Sequence, residues 1–583
     1  MERHKDGGSL VAEVLKAQGV PYLFTLCGGH ISPILVAAKQ AGIQVVDTRQ
    51  EATAVFAADA VARLSGIPGV AAVTAGPGVT NTITAVKNAQ LAQSPLVLLG
   101  GATATALKNR GALQDIDQRA LFKPHVKWLA SAKSVKQIVP LLETAFRKSQ
   151  EGVPGPVFVE LPVDLLYPEE VVRKWYIGEG SKARSQKSLA GRLQHIYLKR
   201  HVQKLFAGTI QTAKGVPTGS TFPAPKSRSI TKAAQLLHTA RQPLLIVGSQ
   251  SMQHFVGAPA LAQAIEHLGV PVYLAGMARG LLGAEHPLQC RHQRRQALKA
   301  ADLVILAGMP CDFRLHYGRQ IPRSTRLISI NRNRRELYLN RHPTLAAHSD
   351  PARFLHELAA AFTPPEDTWL HWRGQLAQLQ KNREEEIQTI SREASSGVNP
   401  VDLLTRIDSV LDEDSMIVAD GGDFVATAAY TVQPRGPLAW LDPGVFGTLG
   451  VGAGFALGAK LVRPDSEVWI LYGDGSVGYS LIELDTFVRH GLPVIAVVGN
   501  DGGWSQIARE QVAILGDDTG TTLSRAEYHR AAEGLGAQGL LLDQPEKISD
   551  TLTAARQTAR EGTPVLINAL IGKTEFRKGA ISI

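Results

Sequence analysis

The stretch 467–503 constrains the fold of this chain more than any other. An apolar run over 467–472 ends at Gly473-Asp474-Gly475-Ser476. Helical apolar spacing follows over 481–489, and a second strand-like run over 494–498 ends at Gly499-Asn500-Asp501-Gly502-Gly503. Strand, glycine turn, helix, strand, turn is a βαβ unit, whose crossover brings both turns to one sheet edge. Glycines there let the backbone approach a phosphate, and Asp474 and Asp501 set carboxylates beside it. A hard cation such as Mg²⁺ takes oxygen ligands from protein and phosphate together, so the unit reads as a metal–diphosphate clamp. The expected metal ligands are Asp474, Asp501 and the Gly503 carbonyl, with Asn500 the alternative. Gly-Asp-Gly alone is also an ordinary turn. The Asn-Asp pair at the next strand end makes the pattern specific.

The same alternation of short apolar strands and helices runs through most of the chain, so the expected fold class is α/β, with three doubly wound parallel sheets. The first α/β region covers 1–175 and contains strand-to-turn passages into Cys27-Gly28-Gly29-His30, into Arg49-Gln50-Glu51 and into Ala75-Gly76-Pro77-Gly78. A Gly-, Ser- and Pro-rich linker follows over 176–229, then a second α/β region over 230–365, a charged helical linker over 366–395, and a third α/β region over 396–583. The first and third regions share one pattern, which a duplicated fold would explain.

Length and charge bound the function. A chain of 583 residues has room for roughly three or four domains. Apolar content of 44% and charge of 20% are those of a globular protein. The net charge of +10 is concentrated: 180–265 carries twelve Lys or Arg and no Asp or Glu, which leaves the remainder near neutral. One basic segment is not a nucleic-acid footprint, and no recognition helix or RNA-binding signature accompanies it. Inside that segment, 189–206 alternates Leu189, Leu193, Ile196 and Tyr197 with basic residues. Such a helix docks on its own domain or lies on an anionic membrane surface as a peripheral contact. Cys27, Cys290 and Cys311 lie far apart, so neither a disulfide framework nor a zinc ribbon is expected. No apolar run reaches membrane-span length, so the chain as given reads as soluble, with a removed N-terminal anchor left open.

Glu51 is the most telling residue outside the clamp. It follows a buried strand and precedes the Ala-rich helix 52–64, so its carboxyl sits in low dielectric, which favours the protonated form. Read alone, it is as readily a helix N-terminal charge. His30, likewise, is a turn histidine or a proton carrier.

Together these motifs resemble the thiamine diphosphate-dependent, acetolactate synthase-like enzymes along nearly the whole chain. The matching features are the Gly28-Gly29 turn, Glu51 after "DTRQ", "TAGPGVTN" at 74–81, "LQDIDQ" at 113–118, "GTLGVGAGFALGAK" at 447–460 and "GDGSVGYS" at 473–480. "GGHI", "LQDIDQ" and the GDGSVGYS context resemble the 2-hydroxyacyl-CoA lyase branch and benzaldehyde lyase most. In the family pattern the second residue of an Asn-Asn pair binds the metal; Asp501 stands at that position here.

The resemblance implies a pyrimidine-binding domain, a middle domain and a diphosphate-binding domain, with thiamine diphosphate and Mg²⁺ as cofactors. Glu51 would hydrogen-bond the aminopyrimidine and promote loss of the thiazolium C2 proton. His30 would take the substrate hydroxyl proton, and Gln114 would reach the reacting centre. Leu449 would wedge the cofactor into a V shape. Gly29, Gly421, Gly422, Asp423, Gly447, Gly473, Gly475, Ser476 and Trp504 would line the cofactor site, with Gln506 in the substrate pocket. FAD is disfavoured, because the family's acidic residue after the middle-domain strand is Asn331 here. Arg279, Arg314, Arg332 and Arg334 could meet the phosphates of an acyl-CoA substrate; a solvated charged face is their ordinary role. The reaction implied is cleavage of the C1–C2 bond of a 2-hydroxyacyl-CoA to formyl-CoA and an aldehyde one carbon shorter. A homodimer would be the minimum assembly and a tetramer is compatible. The animal members imply an endoplasmic-reticulum location, with a cytoplasmic one the alternative. Two other readings stay open: a carboligase acting on small 2-hydroxyketones or pyruvate, and a catalytically silent binding protein that keeps the fold.

Overall fold

The computed structural model describes residues 6–178, 188–214, 221–253, 257–364 and 369–577. Parts of the expected basic linker (179–187 and 215–220) and the start of the second linker (366–368) lie outside the described residues. The chain forms two compact units, one holding residues up to Thr221 apart from a short helical segment, the other holding Phe222–Ile583.

The first unit is built on a six-stranded parallel sheet of β1 (Tyr22–Leu26), β2 (Gln44–Asp47), β3 (Gly69–Val73), β4 (Leu96–Ala102), β5 (Trp128–Ser131) and β6 (Pro156–Pro162), in the order β2-β1-β3-β4-β6-β5. Strands β3, β4 and β6 are buried at every position, as a parallel sheet covered on both faces requires. Leu10, Leu15, Leu23, Val97, Phe146 and Val159 belong to its core cluster. Each such side chain contributes roughly 1.5–3 kcal/mol on burial.

The second unit holds two more six-stranded parallel sheets. One contains β7 (Pro243–Val247), β8 (Val272–Leu274), β9 (Gln289–Cys290), β10 (Leu303–Ala307), β11 (Arg326–Asn331) and β12 (Leu345–His348), ordered β12-β11-β10-β7-β8-β9. The other contains β13 (Met416–Asp420), β14 (Trp440–Leu441), β15 (Val468–Gly473), β16 (Ile495–Asn500), β17 (Gln538–Leu542) and β18 (Val565–Leu570), ordered β14-β13-β15-β16-β18-β17. Counted within each sheet, the first and last have the same strand order, 2-1-3-4-6-5, as a duplicated fold would give. The middle sheet has the order 3-2-1-4-5-6 of dinucleotide-binding folds.

Two helices between the expected regions are anchored rather than loose. Helix Leu370–Ser391 buries Trp372 and Leu376 in the middle sheet's core, and the indole N–H groups of Trp369 and Trp372 donate to the carbonyls of Ala240 and Pro243. Helix Leu189–Phe206 buries Val202 and Leu205 at its C-terminal end and leaves Leu189, Leu193, Ile196 and Tyr197 exposed. Cys290 and Cys311 are buried, whereas Cys27 is exposed at the turn after β1. The short strands β9, β12 and β14 carry too few residues to stand out by periodicity; pairing to a neighbouring strand defines them.

Candidate active site

In a doubly wound sheet the crevice lies where strand order reverses, outside the carboxyl ends of the strands. In the first sheet that point falls between β1 and β3. The turns leaving those strands are Cys27-Gly28-Gly29-His30 and Thr74 to Asn81, two of the stretches that sequence reasoning singles out. In the last sheet it falls between β13 and β15, whose exits are Gly421-Gly422-Asp423 and Asp474-Gly475-Ser476.

The cluster in the first unit centres on Glu51. It opens helix Glu51–Ser65 and is only 6% exposed. Its Oε2 accepts from the Asn81 amide at 3.1 Å. Gly78 stands between two site groups: a Cβ placed there would come 2.8 Å from the Thr74 methyl and 3.5 Å from Glu51 Oε1. Thr74 in turn meets His30, Nδ1 to Oγ1 at 3.2 Å. Burial pushes the His30 imidazole below its ordinary range, which favours the neutral ring able to accept a proton. The Gly29 carbonyl accepts from the Tyr167 hydroxyl at 3.0 Å, which fixes the turn.

Gln114 adopts a left-handed backbone (φ 62°), a conformation that costs free energy outside glycine. Gln118 braces the loop that carries it. That side chain is buried, accepts from Gly76 N–H at 3.0 Å, and donates to Gly101 C=O at 3.1 Å and to Glu160 at 3.2 Å. Thr74, Asn81 and Gln118 were not singled out individually in the sequence. Each lies within a motif quoted above, but only tertiary contacts show what each touches.

The cluster in the second unit is the clamp. Asp474 is 3% exposed; Oδ2 accepts from the N–H groups of Gly502 (2.8 Å) and Gly503 (3.0 Å), and Oδ1 from Gly475 N–H (2.8 Å). This carboxylate ties the two turns of the βαβ unit together. Burial first, then the neighbouring charge of Asp501, push Asp474 up to about 6. Asp501 is also raised, by burial and by Asp423, while its bond from Ser505 opposes the shift. Asp501 disfavours the charge of Asp474, and Asp423 that of Asp501; carboxylates crowded in a buried turn form a place where a divalent cation turns repulsion into attraction. Among the described residues no three His, Cys, Asp or Glu side chains converge, so a cation here would draw its remaining ligands from backbone, phosphate or water.

Asn500 points its amide nitrogen into the domain, while its Oδ1 is buried without a hydrogen-bond partner. It is fully buried, and its Nδ2 donates to Ala526 C=O and to Asn568 Oδ1, both at 3.1 Å. Asp423 pairs with Arg509, which neutralises a carboxylate beside the expected diphosphate.

The backbone around the clamp is shaped for close approach. Gly421 has φ +150°, and a Cβ there would lie 2.7 Å from Gly473 N; the Trp504 ring lies against Gly475, where a Cβ would come within 2.4 Å of it. Gln506 reaches Gly422. Ser476 Oγ donates to the carbonyls of Asp420 and Gly473. Gly447 has φ +63° and Leu449 is half-buried. Asp420, buried beneath them and not singled out in the sequence, accepts from Gly450 N–H (3.1 Å) and Gly452 N–H (2.7 Å), and so holds the Leu449 turn. The Tyr528 hydroxyl donates to Asp474 C=O at 3.0 Å. These residues fit a diphosphate and a divalent cation: a glycine cradle, two neighbouring carboxylates and N–H groups at one switch point.

The second unit also contains a cavity of about 690 Å³ between its two sheets, lined by Arg279, Arg291, Arg294, Arg295, Arg314, Arg383 and Arg577. Arg279 stacks on Trp440 at 4.1 Å, and burial pushes it down to about 10. Both ring nitrogens of His292, Oε1 of Gln289 and of Gln320, and Arg577 Nε are buried there without hydrogen-bond partners. Of the arginines expected to meet phosphates, Arg279 and Arg314 line this cavity. Arg332 does not; its guanidinium is buried against Asp350 and over the Phe222 ring. Asn331 is satisfied within the domain, accepting from Gln250 and donating to Glu336.

Three thiamine pyrophosphate enzyme models match the chain: the N-terminal TPP binding domain over 5–121, the central domain over 230–358 and the C-terminal TPP binding domain over 420–569. The chain is 52% identical over 587 residues to "2-hydroxyacyl-CoA lyase 2" of Bos taurus, covering 99% of this chain and 92% of the relative. It is 49% identical over 594 residues to the protein of the same name from Caenorhabditis elegans, covering 100% and 92%. A "Probable acetolactate synthase" of Mycobacterium bovis is 32% identical over 564 residues, covering 97% and 95%.

Proposed function

This chain belongs to the thiamine pyrophosphate enzyme family, and from that premise we propose that it is a thiamine diphosphate- and Mg²⁺-dependent lyase that cleaves the C1–C2 bond of 2-hydroxyacyl-CoA. The observation that carries the lyase reading is the likeness over almost the full length, at about half identity, to the 2-hydroxyacyl-CoA lyases, against 32% to the acetolactate synthase. The arginine cavity supports a substrate bearing phosphates, since its unpartnered polar atoms and cationic lining suit an anion.

Bound thiamine diphosphate would supply the nucleophilic carbon and the sink for the electrons of the broken bond. Glu51 would hold the aminopyrimidine, with Asn81 orienting the carboxylate that does so. Asp474 and Asp501 would share the Mg²⁺ with the Gly503 carbonyl. The inward orientation of Asn500 favours Asp501 as the ligand from the Asn-Asp pair. Gly421, Gly422, Gly473, Gly475 and Ser476 would line the diphosphate, and Leu449 would support the cofactor from the turn that Asp420 holds. His30, neutral because it is partly buried, would accept the 2-hydroxyl proton as the C1–C2 bond breaks, giving an aldehyde one carbon shorter. C1 would leave as formyl-CoA after gaining a proton. Gln114, Trp504 and Gln506 would contact the substrate.

The finer features follow the same reading: the domain bounds expected above, a homodimer at minimum, and residence at the endoplasmic-reticulum membrane. Among the described residues no helix is long and apolar enough to cross a membrane; the exposed stripe of helix Leu189–Phe206 would supply a peripheral contact. The test is to incubate the protein with thiamine diphosphate and Mg²⁺ and supply 2-hydroxyacyl-CoA or pyruvate. Formyl-CoA with the shortened aldehyde is expected. Acetolactate without formyl-CoA would replace the lyase with a carboligase.

A further inference from the structure

The first unit contains a cavity of about 560 Å³, separate from the arginine-lined one. Gln114 is part of its wall. Its carbon surface comes from Ala102, Ile116, Ala132, Pro162, Leu205 and Ala207, the last two supplied by the end of helix Leu189–Phe206 and the residue after it.

The polar groups deepest in the cavity form two internally bonded clusters, around Glu160 and around Thr105. Ser131 Oγ donates to Glu160 at 2.6 Å, Lys108 pairs with the same carboxylate at 3.1 Å, and Gln118 donates to it as well. Thr105 Oγ1 donates to Asp164 and lies 2.7 Å from His201 Nε2. Among the described residues, no buried side-chain nitrogen or oxygen lining this cavity lacks a partner. The arginine cavity is the opposite case, with five such atoms. Lys133, Lys136 and Lys204 are exposed at the rim, where their methylene stems extend the apolar wall and their ammonium groups stay in water. The fully buried polar atoms of this cavity are closed internally, so away from its cationic rim a ligand meets mainly carbon surface. Its favourable partner is therefore an apolar chain.

We infer that this cavity receives the alkyl tail of the acyl substrate and sets the chain-length preference. The inference rests on the reading above for the identity of the acyl group, and on Gln114 for the link between cavity and reacting centre. Ile116 and Ala207 make the specificity-determining wall. Both can be enlarged without disturbing the core, because Ile116 is 41% exposed and Ala207 is exposed.

The test compares wild type with Ala207→Trp and Ile116→Trp, using binding of hexadecanoyl-CoA and butanoyl-CoA measured by calorimetry, and turnover of the matching 2-hydroxyacyl-CoA pair. Filling the cavity displaces several methylenes, so hexadecanoyl-CoA binding and long-chain kcat/KM should both fall roughly tenfold or more, with the four-carbon values unchanged. Equal wild-type affinity for the two chain lengths, or variants with an unaltered chain-length profile, overturns the inference. A wild type that turns over neither substrate but loses tail-dependent binding on Ala207→Trp retains the cavity assignment and removes the lyase reading instead.

Discussion

The Asn81 side-chain amide donates to Glu51 Oε2 at 3.1 Å, joining the first turn of one helix to the loop that leaves β3. The bond orients a buried carboxylate toward the switch point of the first sheet. Glu51→Gln keeps the shape and removes the ionisable group, so kcat should fall by about 10²–10⁴ with little change in Tm. Asn81→Ala should lower kcat less, roughly tenfold, by loosening the carboxylate rather than removing it. Undiminished turnover in Glu51→Gln would take Glu51 out of the chemistry.

The closeness of the Asp501 charge to Asp474 predicts a metal dependence with a stability signature. Adding Mg²⁺ and thiamine diphosphate at about a hundred times their Kd should stabilise the protein by about 2.7 kcal/mol, read as a rise in Tm. Chelation should reverse that rise. Asp501→Ala should weaken the Mg²⁺ dependence of Tm at least roughly tenfold in metal concentration. Asn500→Ala should instead lower Tm without metal, because it removes two buried hydrogen bonds worth about 1 kcal/mol each. The reverse pattern would make Asn500 the ligand.

His30 sets the acid side of the pH profile. Burial lowers its folded-state pKa, so as pH falls through the unfolded value of about 6.5 the unfolded chain binds a proton that the folded chain does not. Stability should therefore decline on acidification through that region. The acid limb of kcat/KM should lie below the ordinary histidine range, and His30→Gln should abolish the limb and lower kcat. An acid limb that persists in His30→Gln assigns it to another group.

Asp420 is buried beneath the Leu449 turn and, despite accepting from Gly450 and Gly452, is pushed up to about 7, with burial the main cause. A raised folded-state pKa means the folded chain holds a proton that the unfolded chain has lost. This group's contribution should therefore be fully present below about pH 4 and fade as pH rises toward 7. Asp420→Asn should flatten that slope. It should also raise the KM for thiamine diphosphate, because an amide NH₂ would face one of the loop N–H groups. An unchanged KM and slope would leave Asp420 without a part in holding the turn.

The exposed stripe of Leu189, Leu193, Ile196 and Tyr197 tests membrane contact directly. The protein should co-sediment with vesicles containing phosphatidylserine, and the double variant Leu193→Ser, Ile196→Ser should lose most of that binding while lyase activity in detergent-free buffer is kept. Equal co-sedimentation of the two proteins would assign the stripe to another surface.

The sequence by itself marked the candidate site residues, because they sit at strand ends that local pattern picks out. Apolar runs located β1, β2, β3, β13, β15 and β16, and with them His30, Glu51, Asp474 and Asp501. Its likeness to thiamine diphosphate enzymes was legible for the same reason. What only the tertiary structure decided concerns contacts between residues far apart in the chain. Nothing near Asn500 announces that its amide turns inward to Asn568, 68 positions away, leaving Asp501 at the turn. Nothing near Asp420 announces that it holds the Gly450 and Gly452 amides 30 and 32 positions on. The two cavities are unreadable locally for a further reason. Whether a lining group is open to a ligand depends on whether its hydrogen bonds are closed by distant neighbours. In the arginine cavity several are left open, while around Glu160 they are closed by Ser131, Lys108 and Gln118.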